Sequence, residues 1–204
     1  EQDVRCAVEH RLALSATWQA ALLPNALRPI LDALFPPAPA GEAGADWQKM
    51  ACALAARSGF SILTGGPGTG KTTTVVRLLA LLQALALAAP LAGGAPRPLR
   101  IRLAAPTGKA AARLNESIAG AVARLPLAGI EPAEAVRAAI PVKVSTLHRL
   151  LGSRPDTRHF RHHAGYPLAL DVLVIDEASM VDLEMMAAVL AALPPAARLI
   201  LLGD

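Results

Sequence analysis

Apolar residues along the chain come in two rhythms, and the alternation between them predicts the architecture. Short, nearly unbroken apolar runs recur at Phe60–Thr64, Leu99–Ala105, Leu170–Ile175 and Arg198–Leu202, with a lesser one at Val142–Val144. Each is too short for a stable helix and reads as a strand, Phe60–Thr64 as a buried one. In Leu99–Ala105, Arg100 and Arg102 alternate with apolar residues, so one face is expected to be less buried.

Between these runs lie longer stretches of helical character. They are Val8–Leu23, Asn25–Phe35, Asp46–Arg57 with Asp46 as N-cap, Thr73–Leu87, Ala110–Leu125 and Val181–Leu193. Shorter helices are predicted over Ala133–Ala139 and over Ser145–Leu151, the latter capped by Ser145. Pro194-Pro195 stops the last long helix. Strands alternating with helices imply an α/β domain on a parallel sheet. Pro36 to Gly41 reads as a linker and Pro90 to Pro98 as an exposed loop. Residues 1–40 are therefore expected to be the helical tail of an N-terminal domain, and 41–204 a single α/β domain.

Composition changes this picture little. Hydrophobic residues make up 53% and mean hydropathy is +0.41, which raises a membrane reading. The longest apolar run, Val75–Leu91, is broken by Arg77, Gln83 and Pro90, too much for a spanning helix of about 20 residues. The chain starts at Glu1 without a signal pattern and stops at Asp204 straight after an apolar strand, so a fragment cut at both ends is expected. Cys6 and Cys52 stand apart, without metal-ligand spacing, consistent with a reducing compartment. A net charge of +4 permits a polyanionic partner without requiring one.

The chemistry is concentrated at the ends of the strands. Gly65-Gly66-Pro67-Gly68-Thr69-Gly70-Lys71-Thr72 fits the phosphate-loop pattern G-x-x-x-x-G-K-[ST], between a strand and a helix. Its glycines let successive N–H groups turn inward around a phosphate. Lys71 is expected to reach the β- and γ-phosphates, and the Thr72 hydroxyl to ligate Mg2+, with Thr73 beside it on the first helical turn. Asp176-Glu177 follows the apolar strand Leu170–Ile175. Two adjacent carboxylates there are costly unless they serve a cation or a reaction. Asp176 is expected to hold Mg2+, and Glu177 to orient or deprotonate the attacking water.

Other positions are less specific. Gln48 precedes the loop where its amide, one donor and one acceptor, suits an adenine edge; a solvent-facing helix residue is the competing reading. Pro106-Thr107-Gly108-Lys109 forms a second strand-to-helix turn, a candidate anion site that lacks phosphate-loop spacing. Thr146, His148 and Arg149 offer further groups to a nucleic acid, or are ordinary surface residues. Arg154–His163 is rich in Arg and His, but no Cys or carboxylate accompanies His159, His162 and His163 at ligand spacing, so a solvated basic loop is expected.

Taken together, GGPGTGKTTT, LAAPTGKAAARL, STLHRLLG, DVLVIDEAS and LLGD resemble a superfamily 1 DNA helicase, within it the RecD family, the alpha subunit of bacterial exodeoxyribonuclease V (RecBCD). The resemblance covers roughly Asp46–Asp204. It implies a RecA-like P-loop fold and a 5′→3′ ATP-driven motor in double-strand-break repair. It also implies ATP and Mg2+ as cofactors, Gln48 as adenine reader, and Pro106–Lys109, Thr146 and His148 along a single-stranded DNA track. RecB-like and RecC-like partner subunits and a cytoplasmic location follow from it too. A second motor domain, with its arginine finger, would be needed for turnover, so this stretch alone is expected to bind Mg-ATP weakly and not to unwind DNA. A related DNA or RNA helicase, a nucleotide-binding structural subunit and a P-loop kinase are the competing readings.

Overall fold

A computed structural model describes residues 2–21, 24–36, 46–66, 68–88, 95–154 and 159–203. Five strands form one sheet in the order β1-β5-β4-β2-β3: β1 Phe60–Thr64, β2 Ile101–Ala105, β3 Val144–Thr146, β4 Val172–Ile175 and β5 Arg198–Gly203. Every pairing is parallel. All strands therefore start at one end of the sheet and finish at the other, and β5 separates β1 from β4. This is the RecA-like P-loop α/β architecture expected from the sequence.

Eight helices accompany the strands among the described residues: α1 Gln2–Ala21, α2 Pro24–Leu34, α3 Trp47–Ala56, α4 Lys71–Ala88, α5 Gly108–Ala123, α6 Ala133–Ala138, α7 Leu147–Leu151 and α8 Leu183–Ala192. Alternation along the strands splits the core into two layers. Ile101, Leu103, Val172, Val174, Ile200 and Leu202 pack with residues of α2 to α6 on one face. Ala104, Leu173, Ile175 and Leu199 pack with α7 and α8 on the other, where Val4, Ala7 and Val8 of α1 also lie.

The central helix is α4, buried through most of Thr74–Ala86. It is the one described helix long and apolar enough to cross a membrane, but 67% of it is buried inside this fold. Its apolar character serves the core. Gln83, fully buried within it, donates to the carbonyls of Leu99 and Ala139 (both 2.9 Å) and accepts from Leu99 N–H (2.8 Å). A buried amide satisfied on both sides costs little and pins the approach to β2 onto α4.

Three expectations shift. Phe60–Thr64 is an edge strand among the described residues, not a buried one: it pairs only with β5 and leaves Ile62 exposed. The strand predicted at Val142–Val144 lies at Val144–Thr146, the three residues that run beside Leu103–Ala105 of β2. Ser145 is consequently in the ladder, and Thr146 caps α7 instead, its hydroxyl accepting from Arg149 N–H at 3.3 Å. Arg102 is exposed as expected for its strand, whereas Arg100 precedes β2 and binds Asp171. Most of the linker at 36–41 and part of the loop at 90–98 lie outside the described residues.

Candidate nucleotide and nucleic-acid site

The strands deliver their chemistry to one end of the sheet. β1 ends at Thr64 and the chain turns through Gly65–Gly70 into α4, whose first residue is Lys71. Gly68 and Gly70 take positive φ (77° and 83°), conformations that residues with a Cβ resist. Two positions also lack space. A Cβ on Gly65 would sit 2.7 Å from the Thr69 hydroxyl, and one on Gly70 would sit 2.8 Å from Gln48 Nε2. At Gly65 the short Thr69 side chain stands in the way of a Cβ, whereas at Gly70 the end of Gln48 can move and it is the positive φ that calls for glycine.

Internal bonds hold that winding. Thr69 donates to the Gly66 carbonyl through its hydroxyl (2.8 Å), and Thr74 to the Gly70 carbonyl through both N–H (2.9 Å) and hydroxyl (3.0 Å). Lys71 Nζ donates to the Gly65 carbonyl, folding back across the loop. Thr72 is half-buried and Thr73 exposed, both on the first turn of α4. Pro67 lies outside the described residues.

Gln48, on the first turn of α3, donates Nε2 to the Thr69 carbonyl at 3.1 Å. The cap predicted at Asp46 is present, its carboxylate accepting from Lys49 N–H at 2.9 Å. Between α3 and the loop lies an open cavity of about 440 Å3, lined by Gln48, Thr64, Gly65, Thr69, Lys71 and Thr74 together with Trp47, Ala51, Ile62 and Leu63. That is the size and mixed character of a nucleotide pocket. The last four residues escape a motif search because they carry no reactive group. The signal was available at Trp47 and Ala51, one helical turn apart and flanking Gln48.

Asp176 and Glu177 follow β4, across β5 from the loop. Consecutive residues of an extended strand point to opposite faces. Here the strand ends at Ile175, and Glu177 takes φ 52°, ψ 42°, the one non-glycine positive φ among the described residues. Such a conformation costs on the order of 1–2 kcal/mol and clusters at functional sites. Both carboxylate residues are half-buried. Burial raises the Asp176 carboxyl above its ordinary value, and the charge of Glu177 adds to this. The backbone N–H of Glu177 and the charge of Lys71 pull the other way. Asp176 therefore sits where a further cation would relieve it.

A second ledge lies farther along the same end of the sheet. Thr107 caps α5, its hydroxyl accepting from Ala110 N–H at 3.2 Å, with Pro106 half-buried and Gly108 and Lys109 exposed. Ala105 pairs with Thr146, so the turn at Pro106–Lys109 and the start of α7 are neighbours. Asn115 Oδ1 accepts from Val144 N–H at 2.8 Å and ties α5 to β3. His148 is exposed at the start of α7, with Phe160 edge-on at 6.0 Å. In the Arg/His-rich segment, His162 stacks on Tyr166 (5.1 Å, 14°) and Arg161 lies over the same ring. Residues 155–158 and Asp204 lie outside the described residues.

Comparison with known proteins bears on this arrangement. The model of the AAA domain family matches residues 48–204. The chain belongs to the AAA domain family. Its likeness to RecD, expected from the motifs, is borne out. It is 52% identical over 159 residues to the RecBCD enzyme subunit RecD of Haemophilus influenzae, covering 78% of this chain and 23% of that protein. Against RecBCD enzyme subunit RecD of Mycolicibacterium smegmatis it is 53% identical over 163 residues, 79% of this chain and 27% of that one. Against the ATP-dependent RecD2 DNA helicase of Deinococcus radiodurans it is 39% identical over 143 residues, 70% and 15% respectively. The chain thus spans about a quarter of the length of the RecD relatives, within a family that binds nucleotides.

Proposed function

We propose that this chain carries the first motor domain of an ATP-dependent 5′→3′ DNA helicase subunit. The assembly is a RecBCD-type exodeoxyribonuclease V, with RecB-like and RecC-like partners, acting in cytoplasmic double-strand-break repair. The observation that carries the reading is the convergence at one end of a parallel sheet of a glycine-wound loop, a carboxylate pair whose Glu177 is left-handed, and a capped, basic ledge.

In this reading Lys71 neutralises the β- and γ-phosphates, and N–H groups of Gly65–Thr73 cradle them. Thr72 and Asp176 would hold Mg2+, and the raised Asp176 carboxyl together with the tight Gly65–Gly70 cradle fits that role. The metal, when bound, supplies charge neutralisation on the phosphates. Glu177 orients the attacking water and takes its proton. Gln48 reads the adenine edge after releasing the Thr69 carbonyl. Pro106, Thr107, Gly108, Lys109, Thr146 and His148 would face single-stranded DNA phosphates, and the sheet order β1-β5-β4-β2-β3 links the loop to this ledge.

ATP hydrolysis by the full-length protein, with and without single-stranded DNA and beside Lys71→Gln, tests this. Strong stimulation by DNA that vanishes in the variant is the expected result. Turnover indifferent to DNA would overturn the helicase reading, and bound ATP without turnover would replace it with a structural role.

A further inference from the structure

Trp47 is 73% exposed on the first turn of α3, and Ile62 is 59% exposed on the edge strand β1. Single exposed apolar side chains are ordinary, because no protein has enough polar surface to cover itself. These two are not isolated. They come from two different elements, and both line the cavity whose other part is the phosphate loop. Ala51, one turn beyond Trp47, and Leu63, next to Ile62, complete the apolar lining. Met50 and Leu54, also exposed on α3, are not part of it.

The cavity therefore has two chemical halves. Gly65, Thr69, Lys71 and Thr74 present backbone groups, hydroxyls and a cation, which suit phosphates. Trp47, Ala51, Ile62 and Leu63 present carbon, which suits the face of a planar ring. Gln48 stands where the halves meet, its amide on the Thr69 carbonyl. A nucleoside triphosphate has the same division, an anionic tail and a flat base with a polar edge. A volume of about 440 Å3 accommodates it.

The geometry points to Trp47 as the residue on which the base of the bound nucleotide stacks, with Ile62 closing the slot from the strand edge. This rests on the nucleotide-site reading above and adds residues that the phosphate-loop motif does not contain. Every base has a π face, so the stack contributes affinity without choosing between bases. Choice falls to Gln48, whose amide meets the base edge.

Binding of ATP, GTP and inorganic tripolyphosphate to the full-length protein, by titration calorimetry, tests the assignment. Trp47→Ala is expected to weaken ATP and GTP alike by about tenfold while leaving tripolyphosphate within about twofold, since only the base contact is lost. Trp47→Phe, which keeps a ring, is expected to recover most of that loss. Ile62→Ala is expected to weaken ATP by about threefold, again sparing tripolyphosphate. Unchanged ATP affinity in Trp47→Ala would overturn the stack and leave Trp47 as part of a protein-docking surface. Equal losses for ATP and tripolyphosphate would also overturn it, because the phosphate loop itself would have moved. If the unaltered protein bound neither ligand, the nucleotide-site reading beneath would fall, and that arm reports it separately.

Discussion

The two ends of the sheet handle charge in opposite ways. At the end where the strands start, Asp171, Arg198 and Arg11 are tied down by hydrogen bonds. Asp171, just before β4, accepts from Arg97 (2.8 and 2.9 Å) and from Arg100 side chain and N–H. Burial alone would raise its carboxyl, but these bonds outweigh burial and hold it below the ordinary carboxylate range. Arg198, at the start of β5, is buried and donates to the carbonyls of Ala56 and Ser58 (2.6 and 2.9 Å); burial pushes it down to about 10. Arg11 of α1 donates to the carbonyls of Leu193 and Pro194, anchoring that helix below α8.

At the end where the strands finish, the balance reverses. Asp176 is raised rather than lowered, Glu177 is held in a left-handed conformation, and Gly68 and Gly70 take positive φ in the loop. One end is built for stability and the other gives stability up to keep charges poised for a ligand. The rigid strands between them make the difference affordable.

Changes at the two ends should therefore separate activity from stability. Lys71→Ala has the largest expected effect: ATP turnover of the full-length protein falls by at least about a hundredfold, with the melting temperature within about two degrees. Glu177→Gln is expected to lower turnover by a similar factor while ATP still binds, read by single-turnover kinetics beside equilibrium binding. Its companion Glu177→Gly sharpens the comparison. It abolishes turnover yet relieves the left-handed strain, so denaturant unfolding should show a gain of about 0.5–1 kcal/mol.

Arg198→Met, at the other end, is expected to cost about 2 kcal/mol of stability, because the buried Ala56 carbonyl and the partly buried Ser58 carbonyl lose their donor. ATP affinity per folded molecule should not change. Asp171→Asn is smaller, about 1 kcal/mol, since Arg97 and Arg100 are half exposed and screened. Asp171 has its folded value below its unfolded one. Its contribution is therefore present above about pH 4 and lost as pH falls further, so wild type and variant should converge in acid unfolding. Asp176 has the opposite sign. Its folded form holds a proton more readily, so Mg-nucleotide affinity should begin to fall on acidification above the ordinary carboxylate range. A Mg-ATP affinity flat down to pH 4 would contradict this.

Much of the site was legible from residue order because its requirements are local. A phosphate loop needs glycines, a lysine and a hydroxyl at set spacing, and the strand before it and the helix after it were visible in the apolar runs. The cap at Asp46 and the carboxylate pair after β4 are local in the same way. The sheet order was not local. β1 reads as buried because its residues are apolar, whereas among the described residues it lies at the sheet edge with Ile62 exposed. The start of β3 depended on which residues lie alongside β2 and on Asn115, 29 positions away, meeting Val144 N–H. The apolar half of the cavity joins α3 to β1, and no spacing rule links Trp47 to Ile62. Residue order by itself determined the chemistry that each strand end can offer, because turns and caps are short-range. Tertiary structure alone decided which ends stand together and which faces stay in water, because those depend on how strands pair across the chain.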